Sequence, residues 1–359
     1  MNKLTMLDYV KETPGVLRTN IEQYTTLVDP LMKEVQQKEI KRILLIASGS
    51  SHNACYCARS FVEKVSGLEV RIITPYTFTY YENDIKENDL VLVVTQSGLS
   101  TNAIEALKII KKKECKAICL TGNKNSDVKD VADVVIEYGV GKELVGYVTK
   151  GVSSLALFLD LFAIAYSGKT EYLDELKKAA DLNEEMIDQA TNFIQRHYKN
   201  FTSMSWVYSC GAGANYGTAL ESALKIGETI HIPSCCYEIE EYIHGPNLQL
   251  TPQYNVIFFD GNDGASRRVE QVYKATRKVT NRVYLISNNP QLSSDEHVLS
   301  LSDTVSSELS PLVYLPFVQL LSYIVSNDLH SIYQHPLLKE FKAIAAAKTE
   351  NFVNYDGDD

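Results

Sequence analysis

Four hydroxyl-bearing residues and a glutamine share one turn in the segment LVLVVTQSGLST, where Thr95, Gln96, Ser97, Ser100 and Thr101 surround Gly98. An apolar run ends at this turn, and a helix-compatible segment, NAIEALKIIKKK, follows at once. Strand, hydroxyl-rich turn and helix start together present backbone N–H groups, hydroxyls and the positive end of a helix dipole to an anion. The loop carries no Lys or Arg. The chemistry it predicts is a neutral cradle for a phosphate ester, although a well-capped turn with no ligand would read the same way. A second such turn, Ser48-Gly49-Ser50-Ser51, follows the apolar run RILLIA and would lie beside the first in a parallel sheet.

Acid–base groups occur far along the chain. In YGTALESALKIGETIH, Glu221, Lys225 and Glu228 are spaced by four and three and so share a helix face, with Leu220, Ala223, Leu224 and Ile230 across much of the other. Taken alone this is a solvated Glu–Lys–Glu ladder. Gly227, unfavourable mid-helix unless something approaches closely, and His244 before the Gly245-Pro246 breaker point instead to a working carboxylate and imidazole. A carboxylate and an imidazole near a phosphate cradle suit proton transfer between adjacent carbons of a sugar phosphate.

The elements that must position these groups alternate. Apolar β-rich runs at 42–47, 70–74, 90–94, 116–120 and 133–137 are separated by helical segments at 51–65, 101–113 and 125–131, and a helix over 8–38 with a break at Pro14 precedes them. A helix at 150–167 and a charged amphipathic one at 170–198 lead to strands at 204–209, 254–259 and 282–286 and helices to about 231 and at 308–327. Strands apolar on both faces and alternating with helices imply parallel sheets covered on both sides. ASGSSHNACYCARS and CGAGANYGTALESA share one strand, turn and helix grammar, so the chain reads as two like α/β halves with sites at the strand carboxyl ends. The equivalent of the hydroxyl-rich loop in the second half is FDGNDGASR, whose Asp260 and Asp263 would repel phosphate. No GxxxxGK[ST] is present and neither turn reads GxGxxG.

Composition narrows the class. The chain has 359 residues, 45% hydrophobic and 22% charged, as in an ordinary globular protein of one or two domains. A formal charge of −10 argues against nucleic acid and anionic membranes as partners. Seven cysteines without paired CxxC spacing predict reduced thiols, no metal site and a cytoplasmic protein, with no apolar run of membrane-span length expected.

Together the motifs SGSSHNA, TQSGLST, ELVGYVTK (143–150), LESALKIGE, HGP (244–246) and AAAKTENF resemble the double-SIS-domain sugar-phosphate family. This family comprises the isomerase half of glucosamine-6-phosphate synthase and its stand-alone deglycase and deaminase relatives. The resemblance implies two tandem flavodoxin-like, three-layer αβα domains at 36–168 and 201–335, with an N-terminal helical segment (1–35), a helical connector (169–200) and a C-terminal tail (336–359). It places Ser50, Ser51, Thr95, Gln96, Ser97 and Ser100 on the sugar phosphate, with Gly146 and Ala347 beside the sugar. It makes Glu228 the proton carrier and Lys225 a site lysine. His244 becomes the ring-opening histidine, usually donated by a neighbouring subunit, so a homodimer or higher assembly is implied. Lys348 corresponds to a tail lysine that forms a Schiff base in the synthase.

Departures from the family pattern set the subtype. Asn2 stands where the synthase has its glutaminase cysteine, Leu99 replaces a glutamate and Gly227 replaces a lysine. An opened, neutralised pocket implies a deglycase of 6-phosphorylated Amadori compounds with no cofactor. The alternatives are a glucosamine-6-phosphate deaminase or isomerase, and a non-catalytic phosphosugar-binding regulator.

Overall fold

The computed structural model describes residues 4–353 except 37, 145 and 332–336. Helices α1 (Met6–Glu22) and α2 (Tyr24–Val35) lead into β1 (Arg42–Ala47), α3 (Gly49–Ser66), β2 (Glu69–Ile73), α4 (Pro75–Tyr80), β3 (Asp89–Thr95), α5 (Thr101–Lys112), β4 (Ile118–Thr121), β5 (Val134–Glu137) and α6 (Lys150–Ser167). The second half comprises α7 (Leu173–Arg196), α8 (Tyr198–Thr202), β6 (Val207–Gly211), α9 (Asn215–Ile230), β7 (Ser234–Glu238), α10 (Ile239–Ile243), β8 (Asn255–Phe259), α11 (Ser266–Thr276), β9 (Val283–Ile286), β10 (Val298–Leu299) and α12 (Ser310–Asp328). A last helix, α13 (Leu338–Ile344), lies in the tail.

The two sheets repeat one topology. The first is ordered β2-β1-β3-β4-β5 and the second, read from the opposite edge, β7-β6-β8-β9-β10. Every pairing is parallel. This flavodoxin-like order opens a crevice between the first and third strands of each half, at the carboxyl ends. All residues of β1 and β3 are buried, which explains why both are apolar on both faces. Their amino ends are pinned by Arg42, whose Nε donates to Asp89 Oδ1 at 2.9 Å in a buried pair.

One apolar core spans both halves. Residues of α3, α6, α7, α9 and α12 join Ile257, Phe259, Tyr284 and Ile286 of the second sheet in a continuous cluster, and each sheet has a separate outer core. Helix α7 is therefore a core element as well as a connector, with Leu176, Met186 and Phe193 buried in that shared cluster. Helix α6 is long and apolar enough to cross a membrane, contrary to the sequence reading, yet 83% of it is buried here. Its apolar surround is supplied chiefly by α3, α1 and α2, with a smaller contact to α12.

Where α9 crosses α3 the backbones nearly touch. A Cβ added at Gly217 would lie 2.5 Å from Cys57 N and 2.8 Å from Cys57 Sγ. Gly217→Ala is expected to destabilise the protein by about 1–3 kcal/mol through overpacking, read from the denaturant midpoint; an unchanged midpoint would mean that the helices part freely.

Some local expectations change. Helix α1 runs through Pro14 and ends at Glu22, because burial of Tyr9, Val10, Leu17 and Ile21 outweighs one lost backbone hydrogen bond. Residues 125–131 form only a single 3₁₀ turn, Asp127–Asp130, anchored by Val128. The short elements α4, β7, α10 and β10 carry no strong period and are not anticipated; α11 is not anticipated either, although its buried Val269, Val272, Tyr273 and Thr276 recur at helical spacing. The tail boundary expected at 336 falls outside the described residues.

Candidate active site

A cleft of about 1360 Å³ opens at the β1/β3 switch point. Ser50, Ser51, Thr95, Gln96, Ser97, Ser100, Gly146, Lys225, Glu228, Ala347 and Lys348 all line it. The two hydroxyl-rich turns do become neighbours. Asn102 Nδ2 donates to Ser48 Oγ at 3.0 Å and ties them together. Both precede helices, α3 and α5, so first-turn backbone N–H groups border the cleft, one of them, Thr101 N, taken by the tail.

The cradle is not neutral, as its own residues suggested. The tail pairs with the loop as a short antiparallel strand: Thr101 N donates to Ala347 O at 3.2 Å, Thr349 N donates to Leu99 O at 2.8 Å, and a bridge links Ser100 to Lys348. This delivers the Lys348 ammonium to Ser97 Oγ (3.0 Å) and Ser100 Oγ (2.9 Å). Lys348 also lies 5.7 Å from the centre of the Phe352 ring, and burial pulls its pKa below the usual lysine value. Asn351 Nδ2 donates to Asp127 Oδ1 at 2.9 Å and fixes the strap further out.

The individual cradle hydroxyls are not equivalent. Thr95 Oγ1 donates to Ser100 Oγ at 3.2 Å, and Leu99 N donates to Ser97 Oγ at 3.2 Å. The Gln96 carboxamide accepts from Tyr138 at 3.0 Å and packs against Gly151, where a Cβ would fall 1.7 Å from Gln96 Oε1. Ser50 turns the other way: its hydroxyl donates to Glu221 Oε1 at 3.0 Å and accepts from Lys225 Nζ at 3.1 Å. In this arrangement Ser50 offers the cleft its backbone N–H, not its hydroxyl proton.

Two members of the Glu–Lys–Glu face are buried, not solvated as a ladder taken alone would be. Glu221 and Lys225 are 0% and 1% exposed, because α9 is wedged between α3 and α12. Glu221 accepts from Ser50 and, at 2.8 Å, from Asn53 Nδ2. Lys225 lies 3.2 Å from Glu221 and also pairs with Glu228. Burial raises the Glu221 pKa, opposed by the nearby ammonium. For Lys225, burial alone would depress the ammonium, but the two carboxylates outweigh it and hold its pKa above the usual value. Of the two carboxylates, Glu228 lines the cleft and Glu221 does not, with 31% of the Glu228 side chain exposed. The arrangement therefore holds one carboxylate at the cleft wall through a buried lysine.

Gly227 is not explained by a close approach. The nearest atom to an added Cβ is Ile232 O, 4.0 Å away. Gly227→Ala is expected to raise stability by about 0.5–1 kcal/mol, since it removes backbone freedom from the unfolded chain and adds no clash. A lower melting temperature would indicate that a neighbour occupies that space.

His244 is not brought to this cleft within its own chain. It ends α10 beside the edge strand β7 and is exposed, with Nδ1 2.7 Å from Glu240 O. A carbonyl only accepts, so Nδ1 carries the proton and Nε2 is the free nitrogen. In the second half, the place equivalent to the cradle is filled by Asp260. This carboxylate is 2% exposed and accepts from Ser266 Oγ at 2.6 Å and Ser287 Oγ at 2.7 Å. Those two hydroxyls are therefore spent on the half's own carboxylate.

Sequence reasoning missed Glu143. Its carboxylate accepts from Thr149 N (2.6 Å) and Gly151 N (2.8 Å), tying Glu143 to the start of α6. Burial raises its pKa against those two bonds. The same segment is held from outside by α1: Tyr9 OH accepts from Leu144 N at 2.8 Å, and Glu12 pairs with buried Lys150 at 2.8 Å. Neither contact has a local spacing that would have revealed it.

Fold and site together define an α/β protein of two like halves with a hydroxyl-lined cleft at the switch point of the first. Residues 38–165 match the SIS domain family. The chain is 25% identical over 321 residues, 89% of this chain and 52% of the relative, to the glutamine–fructose-6-phosphate aminotransferase (isomerizing) of Sulfurisphaera tokodaii. The chain thus spans about half the length of the curated relatives it matches. Its fold is similar to the C-terminal domain of glucosamine-fructose-6-phosphate aminotransferase from Francisella tularensis (TM-score 0.80, 23% identity, 91% of this chain and 96% of that one). It is also similar to glucosamine-6-phosphate deaminase from Thermotoga maritima (TM-score 0.71, 18% identity, 89% and 95%).

Proposed function

We propose that the protein is a deglycase that cleaves 6-phosphorylated ketosamines to glucose 6-phosphate and a free amine. The observation that carries this reading is one cleft lined both by the hydroxyl-rich turns and by the Glu228 carboxylate. The phosphate is held at the cradle, and the sugar chain extends towards α9. Glu228 removes the C1 proton, giving an enaminol, and returns a proton to C2. The product is an aldimine at C1. Water adds to that carbon, the C1–N bond breaks, and the amine leaves with the proton. The substrate's own nitrogen serves as the electron sink. His244, presented on the outer surface with a free Nε2, is assigned to ring opening in the cleft of a neighbouring copy.

Two features support a substituted sugar over a bare hexose. Leu99 lines the cleft where the resembled family carries a glutamate, and the cleft volume exceeds that of a typical small-ligand pocket. A second reading, an amino-sugar-phosphate isomerase or deaminase, is favoured by the depressed pKa of Lys348, which makes its amine a better nucleophile. A panel of fructosamine 6-phosphates, assayed for glucose 6-phosphate, separates the two. Release from a substituted ketosamine supports the deglycase. A borohydride-stable adduct of fructose 6-phosphate on Lys348, with no amine released from any ketosamine, supports the second reading instead.

A further inference from the structure

We propose that Lys348 is a phosphate-binding residue that fixes the proton directions of the cradle hydroxyls, an assignment that rests on reading the cradle as a phosphate site. A serine hydroxyl has one proton to donate and two lone pairs to receive. Ser97 Oγ receives from Leu99 N at 3.2 Å and from Lys348 Nζ at 3.0 Å. Ser100 Oγ receives from Thr95 Oγ1 at 3.2 Å and from Lys348 Nζ at 2.9 Å. Both oxygens have therefore used their accepting capacity. Each can only donate, and what complements two outward O–H groups beside an ammonium is an anion with several acceptor oxygens.

The same lysine serves two further ends. It supplies the positive charge that the loop itself lacks, in a site where burial strengthens it. It is also carried on a strand-paired strap, with Thr101 N on Ala347 O and Thr349 N on Leu99 O, so its position is set by backbone geometry rather than by a flexible side chain alone. An ammonium engaged by two cradle hydroxyls lies at the phosphate end of the substrate. This differs from the role implied by the family resemblance, in which the lysine bonds a sugar carbon.

Inorganic phosphate, which has no carbon to attack, isolates the proposal. Its binding and that of fructose 6-phosphate are to be measured calorimetrically on the intact protein, on Lys348→Met and on Lys348→Arg. Thermal melts should verify that both variants remain folded. The expected result is a weakening of about 10–100-fold for both ligands in Lys348→Met, since a charged hydrogen-bond donor is lost. Lys348→Arg, which keeps the charge, should retain most of the affinity. If Lys348→Met binds inorganic phosphate as tightly as the unaltered protein, the assignment is overturned, whatever happens to fructose 6-phosphate. If the unaltered protein binds neither ligand, the phosphate reading of the cradle falls first and the lysine's role with it.

Discussion

Glu228→Gln is expected to lower kcat by about 10²–10⁴-fold, the range supplied by a positioned general base. The substitution keeps the shape of the side chain and removes its ability to take a proton. Binding should change little, because Glu228 pairs with Lys225 and, among the described residues, makes no hydrogen bond to Thr95, Ser97 or Ser100. The useful signature is the split between parameters. The KM for a phosphorylated ketosamine stays near that of the unaltered protein while kcat collapses. The melting temperature should also hold, since Glu228 is partly exposed and its loss leaves Lys225 still paired with Glu221. Near-normal turnover would remove Glu228 from the chemistry and move the search for a base to Glu143, whose pKa burial raises.

Lys225→Met should be the most damaging single change to stability, costing about 3–5 kcal/mol, the usual penalty for leaving one partner of a buried ion pair alone. The ammonium is 3.2 Å from Glu221 and bonded to Ser50, and both charged side chains are sealed between the halves. Without Lys225 the Glu221 carboxylate must either remain charged in an apolar interior or hold a proton. The pH dependence follows from the sign of that shift. The Glu221 pKa is already raised above its unfolded value, and losing the lysine raises it further. A group with a raised folded pKa loses its stabilising proton as pH rises through that value, so the variant should be least stable at neutral and alkaline pH and recover as pH falls. Denaturant unfolding at two pH values tests this. A double variant with Glu221→Gln should restore much of the loss, because a neutral amide replaces the stranded charge. Equal stability of Lys225→Met at both pH values would show that Glu221 reaches water.

The Glu–Lys pair also marks where sequence reading stops. Spacing showed that Glu221, Lys225 and Glu228 share a helix face, and the helix Asn215–Ile230 forms as expected. Periodicity cannot say whether that face meets water or another helix. The answer depends on α3, more than 150 residues earlier, which offers Ser50 and Asn53 as partners for Glu221. The same limit applies to the cradle. Its hydroxyls were legible from TQSGLST and SGSS, but the direction of each hydroxyl was not, because those depend on donors such as Lys348 that are remote in sequence. Gly227 illustrates an inference from local rules that the packing does not support, since the expected close neighbour is absent among the described residues.

By itself the sequence determined the alternation of apolar strands and amphipathic helices, the duplicated turn grammar and the confinement of donor-rich turns to the first half. These are short-range properties: side-chain period, turn chemistry and local charge act within a few residues. Only the tertiary structure decided that a strap from the chain's end charges the cradle, that a ladder of ions lies buried between the halves, and that His244 faces away from its own cleft. Those outcomes arise from the crossing of α3 and α9 and from strand pairing across some 250 residues, where the free energy belongs to packed surfaces and matched donors rather than to any local pattern.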